Sequence, residues 1–272
     1  MPRDEMNSLI QKIARQARLT FKGIGSGLAS QDVKSLAENM GQLKKLVGEI
    51  RAEDLKIKPR KSGQAPISVP HNPPVTYMHI CETDCFSMGV FLLKSGTCIP
   101  LHDHPGMHGM LKVLYGKVRI SGFDKLEPQA SPTSSSPTSS AGVSGKEIQF
   151  NPPLLPYQRA SLRRAVLRSV GEFSDTSPAC LLSPHRDNLH QISAVDGPAA
   201  FLDILAPPYD PDDGRDCHYY KLLQPLEQPD GDGPHQAGAT MGPSREVWLL
   251  EVPQPDDFWC GGEPYPGPKV SI

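Results

Sequence analysis

The sequence lacks several features that would each fix a class. No apolar run approaches the ~20 residues needed to cross a bilayer as a helix, so no membrane partner is expected. Charge does not lean to one side: 28 Lys and Arg stand against 30 Asp and Glu, a net charge of −2. A nucleic-acid binder normally gathers a basic excess on one face, so no nucleic-acid partner is expected. The six cysteines, at 81, 85, 98, 180, 217 and 260, contain no CxxC pair. Neither a zinc ribbon nor a disulfide framework is therefore indicated. Scattered thiols fit a reducing compartment, and Cys81, Cys85, Cys98, Cys180 and Cys260 read as core residues. The opening residues carry charge without the apolar stretch of a secretory signal, and Asp4 and Glu5 argue against a targeting peptide. The expectation is a monomer in the cytoplasm, or also the nucleus.

Proline, in contrast, is abundant: 29 of 272 residues. Interior prolines break helices, so a mostly helical chain is excluded. Between the prolines lie short runs rich in Val, Ile, Leu, Tyr and Phe. Nine of them read as strands: VTYMHIC, FSMGVFLL, MLKVLYG, KVRISGFD, RRAVLRSVGEF, HQISAV, AAFLDILAP, YYKLLQ and REVWLLEVP. LYGKV predicts a tight turn at Gly116–Lys117. Without long helices between the strands, the fold class is mainly β, an antiparallel barrel or sandwich.

The first 53 residues differ. Leu9, Ile10, Ile13 and Leu19 fall at roughly helical spacing, and so do Val33, Leu36, Met40, Leu43, Leu46, Val47 and Ile50. Two helices are predicted, joined by a glycine-rich turn at 23–27, with Ser30 as an N-cap. The pair is read as packed on the main domain; a free partner-binding helix is the alternative. The predicted layout continues with a linker at 54–74, a barrel at 75–252 and a C-terminal tail at 253–272. Two loops interrupt the barrel, a Ser/Thr/Pro-rich insert at 128–146 and a polar loop at 225–244 holding His235.

The stretch GTCIPLHDHPGMHG carries the chemistry. In an extended strand, residues i and i+2 share a face. His102 and His104 therefore aim one way and Asp103 the other. Two imidazoles so placed can chelate one cation, although a surface pair is equally compatible with the spacing alone. Gly96 lies six residues before His102, and Gly116 lies twelve after His104. This frame resembles the first motif of the cupin superfamily, a double-stranded β-barrel that holds a metal at its mouth. The motif's usual Glu is missing: His108 and Gly109 occupy its place. A third ligand is then expected from further along the chain. His190 opens the alternating run HQISAV and is chosen; His185 follows Pro184 in a turn and is read as exposed. His108 is placed beside the site, and His71, His79 and His218 are left as ordinary residues.

Imidazole ligands suit zinc, iron, copper and nickel alike, so spacing does not name the metal. HDHPGMHG, SPHRDNLHQI, FLDILAPPYD and DCHYY together resemble the cysteamine dioxygenase family, to which plant cysteine oxidases are related. The resemblance runs from about Val75 to Val252. It implies one non-haem Fe(II) per chain, held by His102, His104 and His190. It implies addition of both atoms of O2 to a thiol, giving a sulfinic acid. It implies two substrates, cysteamine and the N-terminal cysteine of proteins, and through the second a link between oxygen and N-degron protein lifetime. A three-histidine zinc or nickel hydrolase or isomerase is the rival enzyme reading. A non-catalytic cupin that binds a ligand or partner is the third.

Both substrates carry an amine two carbons from sulfur, so a carboxylate near the metal is expected. Asp203 in FLDIL is the candidate; a hydrogen-bonded structural carboxylate is the alternative. Tyr209 in PPYD is a second candidate, as a hydroxyl over the site, against a loop-packing role. Cys217 and Tyr219 are again i and i+2. The resemblance implies a Cys217–Tyr219 thioether, against two adjacent core residues.

Overall fold

A computed structural model describes residues 8–23, 30–60, 72–126, 149–224 and 246–272. The insert at 128–146, the loop at 225–244 and His71 and His235 lie outside the described residues, as does most of the predicted turn at 23–27.

Among the described residues, two α-helices precede the strands, α1 (Leu9–Phe21) and α2 (Ser30–Glu49). Ser8 caps α1, its side chain accepting from the Gln11 N–H. The buried stripe of α1 is Ile10, Ile13, Ala14, Ala17 and Phe21, steps of three and four that follow one helical face. Leu19, expected on that stripe, lies two positions past Ala17, on the far side of the helix, and is 63% exposed. Leu43, Val47 and Ile50 are fully buried. Both helices press these residues onto Met78, Met88, Val90, Leu92, Met110, Leu114, Leu202 and Ile204 of the sheet. Each such aliphatic side chain contributes about 2 kcal/mol by leaving water.

Ten strands follow among the described residues: β1 (Val75–Glu82), β2 (Ser87–Leu93), β3 (Cys98–Asp103), β4 (His108–Lys125), β5 (Leu162–Ser174), β6 (Cys180–Leu182), β7 (Leu189–Ala206), β8 (Tyr219–Leu223), β9 (Glu246–Val252) and β10 (Cys260–Gly262). Their order is β10-β1-β2-β7-β3-β8-β9-β5-β4-β6, and a further β4–β7 pairing closes the ring. All pairings are antiparallel except β1–β10. The result is the mainly β fold expected from the sequence, a closed antiparallel barrel with helices on one outer face.

The predicted turn at Gly116–Lys117 is absent. Four predicted strands merge there into two long ones, β4 and β7, of 18 residues each. Gly116 takes φ +73° and lets β4 bend without reversing. The register against β7 slips on both sides of it, between Val113 and Tyr115 and between Tyr115 and Lys117. Such bulges flip which side chains face inward. Leu111 and Val113 face the barrel interior before the bend, and Val118 and Ile120 after it. β7 flips likewise, at Asp196 (φ 58°) and Gly197 (φ 143°), so Ile192 and then Ala199 and Phe201 face inward.

The stretch after Val252 is tied back to the rest. β10 pairs with β1 at Val75↔Cys260, and Ser271 exchanges two bonds with the Gln11 side chain, at 2.7 and 2.9 Å. Cys260, expected in the core, is exposed because β10 is an edge strand.

Candidate metal centre

Two strand ends bring the histidines together, the end of β3 and the start of β7. His102 is the penultimate residue of β3, and its register partner across β7 is His190. His104 follows β3 directly. The ring centroids form a near-equilateral triangle: 4.7 Å for His102–His104, 4.8 Å for His102–His190 and 4.7 Å for His104–His190. One ring nitrogen from each lies within 4.8 Å of the others, and no other such cluster of three occurs among the described residues. His102, His104 and His190 are 9%, 1% and 8% exposed. His185 sits in an exposed turn. His108 faces α1, its ring 6.5 Å from that of Phe21, so it lies on the helix side of the sheet and not beside the cluster.

The rings are preset for a cation. His102 Nδ1 lies 2.8 Å from the Pro100 carbonyl and His104 Nδ1 lies 2.9 Å from the Asn188 carbonyl. A carbonyl only accepts, so both Nδ1 atoms carry the proton. Each Nε2 then presents its lone pair, the arrangement in which a backbone carbonyl orients a metal-binding histidine. Burial lowers all three pKa values. That of His102 falls despite the Pro100 bond and the Asp103 charge. That of His104 falls to about 3, with His102 as second cause, and that of His190 falls well below its ordinary value. All three are neutral at pH 7, the form that binds metal. Three desolvated lone pairs facing one another are costly without a cation to share, so the donor set fits a divalent ion.

Asn188 was not legible as part of this centre. Its side chain donates to the His104 carbonyl at 2.7 Å and the Ser183 carbonyl at 3.0 Å, and its Oδ1 accepts from the His104 N–H at 3.4 Å. The partners are 84 positions apart, and nothing local in HRDNLH marks the asparagine. Asn188→Ala is expected to weaken metal binding about 10–100-fold, measured by competition with a chromogenic chelator.

The remaining candidates gather around this cluster. Asp203 stands on β7 between Gly89 of β2 and Leu111 of β4, on the inward face with Phe201. Burial pushes its carboxyl up to about 7, against one stabilising bond from the Ile204 N–H. It lines two cavities. One, of about 220 Å³, also holds His190, Ile120 and Cys180. The other, of about 480 Å³, is bounded by Tyr77, Glu82, Phe91, Tyr209 and Gly261. Tyr209 has its ring 5.7 Å from that of His104, and its hydroxyl donates to the Asp103 carbonyl at 2.7 Å. The Tyr219 ring lies 6.3 Å from that of His102. The Cys217 side chain lies beside those of Tyr209 and Tyr219, and burial pushes its thiol up to about 11.

Comparison with known proteins follows the same ground. The PCO_ADO family model matches residues 46–270. The 2-aminoethanethiol dioxygenase of Mus musculus is 60% identical over 271 residues, covering 99% of each chain. That of Homo sapiens is 58% identical over 288 residues, again covering 99% of each. Plant cysteine oxidase 1 of Arabidopsis thaliana is 26% identical, over 96% of this chain and 80% of its own. A match to the family model across most of the barrel, joined to identity of this order from end to end, settles the assignment: the chain belongs to the PCO_ADO family.

Proposed function

We propose that this chain is an Fe(II)- and O2-dependent dioxygenase that converts cysteamine to hypotaurine and the N-terminal cysteine of proteins to cysteine sulfinic acid. Its family makes it a thiol dioxygenase; the iron and the choice of substrates are the proposal. The observation that carries it is the triangle of three buried, neutral imidazoles. With no carboxylate in the set, the whole charge of a divalent ion remains to attract an anionic sulfur ligand. The reaction balances without a further reductant: RSH + O2 gives RSO2H, with both oxygens on sulfur. His102, His104 and His190 would hold a ferrous ion, which when bound would make O2 reactive and favour thiolate over thiol, the four electrons that reduce O2 coming from the sulfur.

The chain's own residues do the rest. Asp203 offers a negative charge to the substrate ammonium from an apolar wall, where such a pair is weakly screened. The barrel interior, lined by Leu111, Ile120 and Phe201, limits water around it. Tyr209 closes the side next to His104. The Cys217 and Tyr219 side chains lie beside one another, which supports a thioether between them; its formation passes two electrons and two hydrogens to O2, a loss readable in the mass of the linked peptide. The cavity of about 480 Å³ falls in the ordinary range for drug-sized ligands. It has room for residues that follow an N-terminal cysteine, which supports protein substrates besides cysteamine. Oxidation of such an N-terminus by O2 would pass oxygen level into N-degron turnover, in a monomer acting in the cytoplasm or nucleus.

The test is oxygen uptake by the anaerobically purified, iron-loaded chain, with cysteamine and with a Cys-initiated peptide. A mass gain of two oxygens on each is the expected result. Zinc or nickel retained with no thiol-dependent uptake would instead favour a hydrolase or isomerase. Absence of both metal and turnover would favour a binding module.

Asp203→Asn gives a second test. It is expected to raise KM for cysteamine about tenfold or more, by removing the partner of the ammonium. For the unmodified chain, kcat/KM rises with pH through about 7, as the Asp203 carboxyl ionises; the variant loses that inflection. Stability moves oppositely. A carboxyl whose pKa is higher folded than unfolded destabilises the fold as pH rises above the unfolded value. At pH 8 Asp203→Asn is therefore expected to raise Tm, by roughly 5 °C, read by differential scanning calorimetry.

A further inference from the structure

Asp103 lies between the two histidines of HDH and points to the other side of the strand. It is 1% exposed. Burying a carboxylate is costly unless donors surround it, and here they do. Oδ2 accepts from Lys125 Nζ at 2.7 Å and the Tyr220 hydroxyl at 2.9 Å. Oδ1 accepts from the His218 N–H at 2.9 Å and His218 Nδ1 at 3.2 Å. Its main chain is engaged as well: the N–H donates to the His218 carbonyl at 3.1 Å, and the carbonyl accepts from the Tyr209 hydroxyl at 2.7 Å.

These partners fall on the segments that face the histidine cluster. His218, which sequence alone marks as ordinary, sits between Cys217 and Tyr219 and is gripped on both its N–H and its carbonyl. Tyr209 is held by its hydroxyl, and the Cys217 side chain lies beside those of Tyr209 and Tyr219. Tyr209 and His218 thus bond directly to Asp103, and Cys217 and Tyr219 flank His218 along the chain; Asp103 is itself covalently adjacent to His102 and His104. An apolar residue here would fill the space without fixing any of them.

We infer that Asp103 is a positioning residue, holding Tyr209 and the Cys217–Tyr219 pair in place against the strand that carries His102 and His104. Its effect on turnover rests on the thiol dioxygenase reading; its hold on Cys217 does not, and is read without metal. The experiment is alkylation of the metal-free chain by iodoacetamide, with the rate at each cysteine followed by mass spectrometry. Asp103→Asn, Lys125→Met and Tyr220→Phe are compared with the unmodified chain. In Asp103→Asn the Cys217 rate is expected to rise about tenfold, the size set by loss of a charged hydrogen-bond partner. Lys125→Met and Tyr220→Phe raise it by about threefold each, while Cys81, Cys98 and Cys180 stay within about twofold. In the iron-loaded chain, kcat for cysteamine falls about tenfold with KM nearly unchanged, because the surroundings of the reacting atoms shift while the ammonium site at Asp203 does not.

An unchanged Cys217 rate in Asp103→Asn would overturn the inference. So would a parallel rise at all the cysteines, which marks general loosening. Should Asp103→Asn fail to fold, Lys125→Met and Tyr220→Phe decide alone, since each removes one donor and leaves the carboxylate. A Cys217 rate that responds as expected in a chain without thiol-dependent oxygen uptake would leave the positioning role standing and remove the dioxygenase reading.

Discussion

His190→Ala is expected to abolish metal binding and to lower thiol-dependent oxygen uptake by about 10³-fold or more, while the barrel stays folded. Loss of a residue that merely orients a ligand already costs ~10–100-fold, and removing the ligand itself leaves two imidazoles on one short segment. The fold is expected to survive because the backbone at 190 is held from both sides, by His102 of β3 and by Gly122 of β4. The substitution also removes a buried imidazole that lies against two others, so little packing energy is lost with it. His185→Ala is the matched control. It lies in the exposed turn before β7 and is expected to leave metal content and uptake within about twofold. Metal analysis, an oxygen electrode and circular dichroism read the three quantities. Loss of metal in His185→Ala but not in His190→Ala would transfer the ligand role to residue 185 and undo the centre described above.

Gly116→Val is expected to destabilise the chain by about 3 kcal/mol or more, or to prevent folding. At φ +73° a β-branched residue is strongly disfavoured, at a cost of order 1–3 kcal/mol. The space is also filled. A Cβ built at 116 would lie 2.3 Å from the Pro198 carbonyl oxygen and 2.8 Å from Ala199 Cα. Both belong to the backbone of β7, which cannot move aside without breaking the ladder. Overpacking of this kind adds about 1–3 kcal/mol. The expected fall in Tm is roughly 10 °C, read by calorimetry. A Tm within about 2 °C of the unmodified chain would show that the bend does not depend on glycine.

The consequence of that bend reaches the functional site. His190 and Asp203 are an odd number of positions apart on one strand. In a regular strand they would face opposite sides. They face the same interior because the bulge at Asp196–Gly197 shifts the alternation between them. The pairing with β4, bent at Gly116, holds the shifted register. No alternation count along HQISAVDGPAAFLDIL reveals this, because the count presumes one unbroken strand. The sequence reading split β4 and β7 at their glycines for the same reason: a glycine in a strand marks a turn or a bulge equally well.

Local pattern therefore determined a good deal. The proline content and short β-branched runs set a mainly β chain. The spacing of Ile10, Ile13 and Leu43 to Ile50 set two amphipathic helices, and HDH placed two imidazoles on one side of a strand. Such features depend on neighbours within a turn or a pleat, and burial periodicity writes them into the chain directly. Tertiary structure alone decided that position 190 lies across from position 102. It also decided that Asp203 turns inward and that Asp103 gathers Lys125, His218 and Tyr220. Those meetings depend on register across distant strands, and register is fixed by the sum of many weak contacts and two backbone kinks. No single residue carries that sum, so no single stretch of sequence displays it.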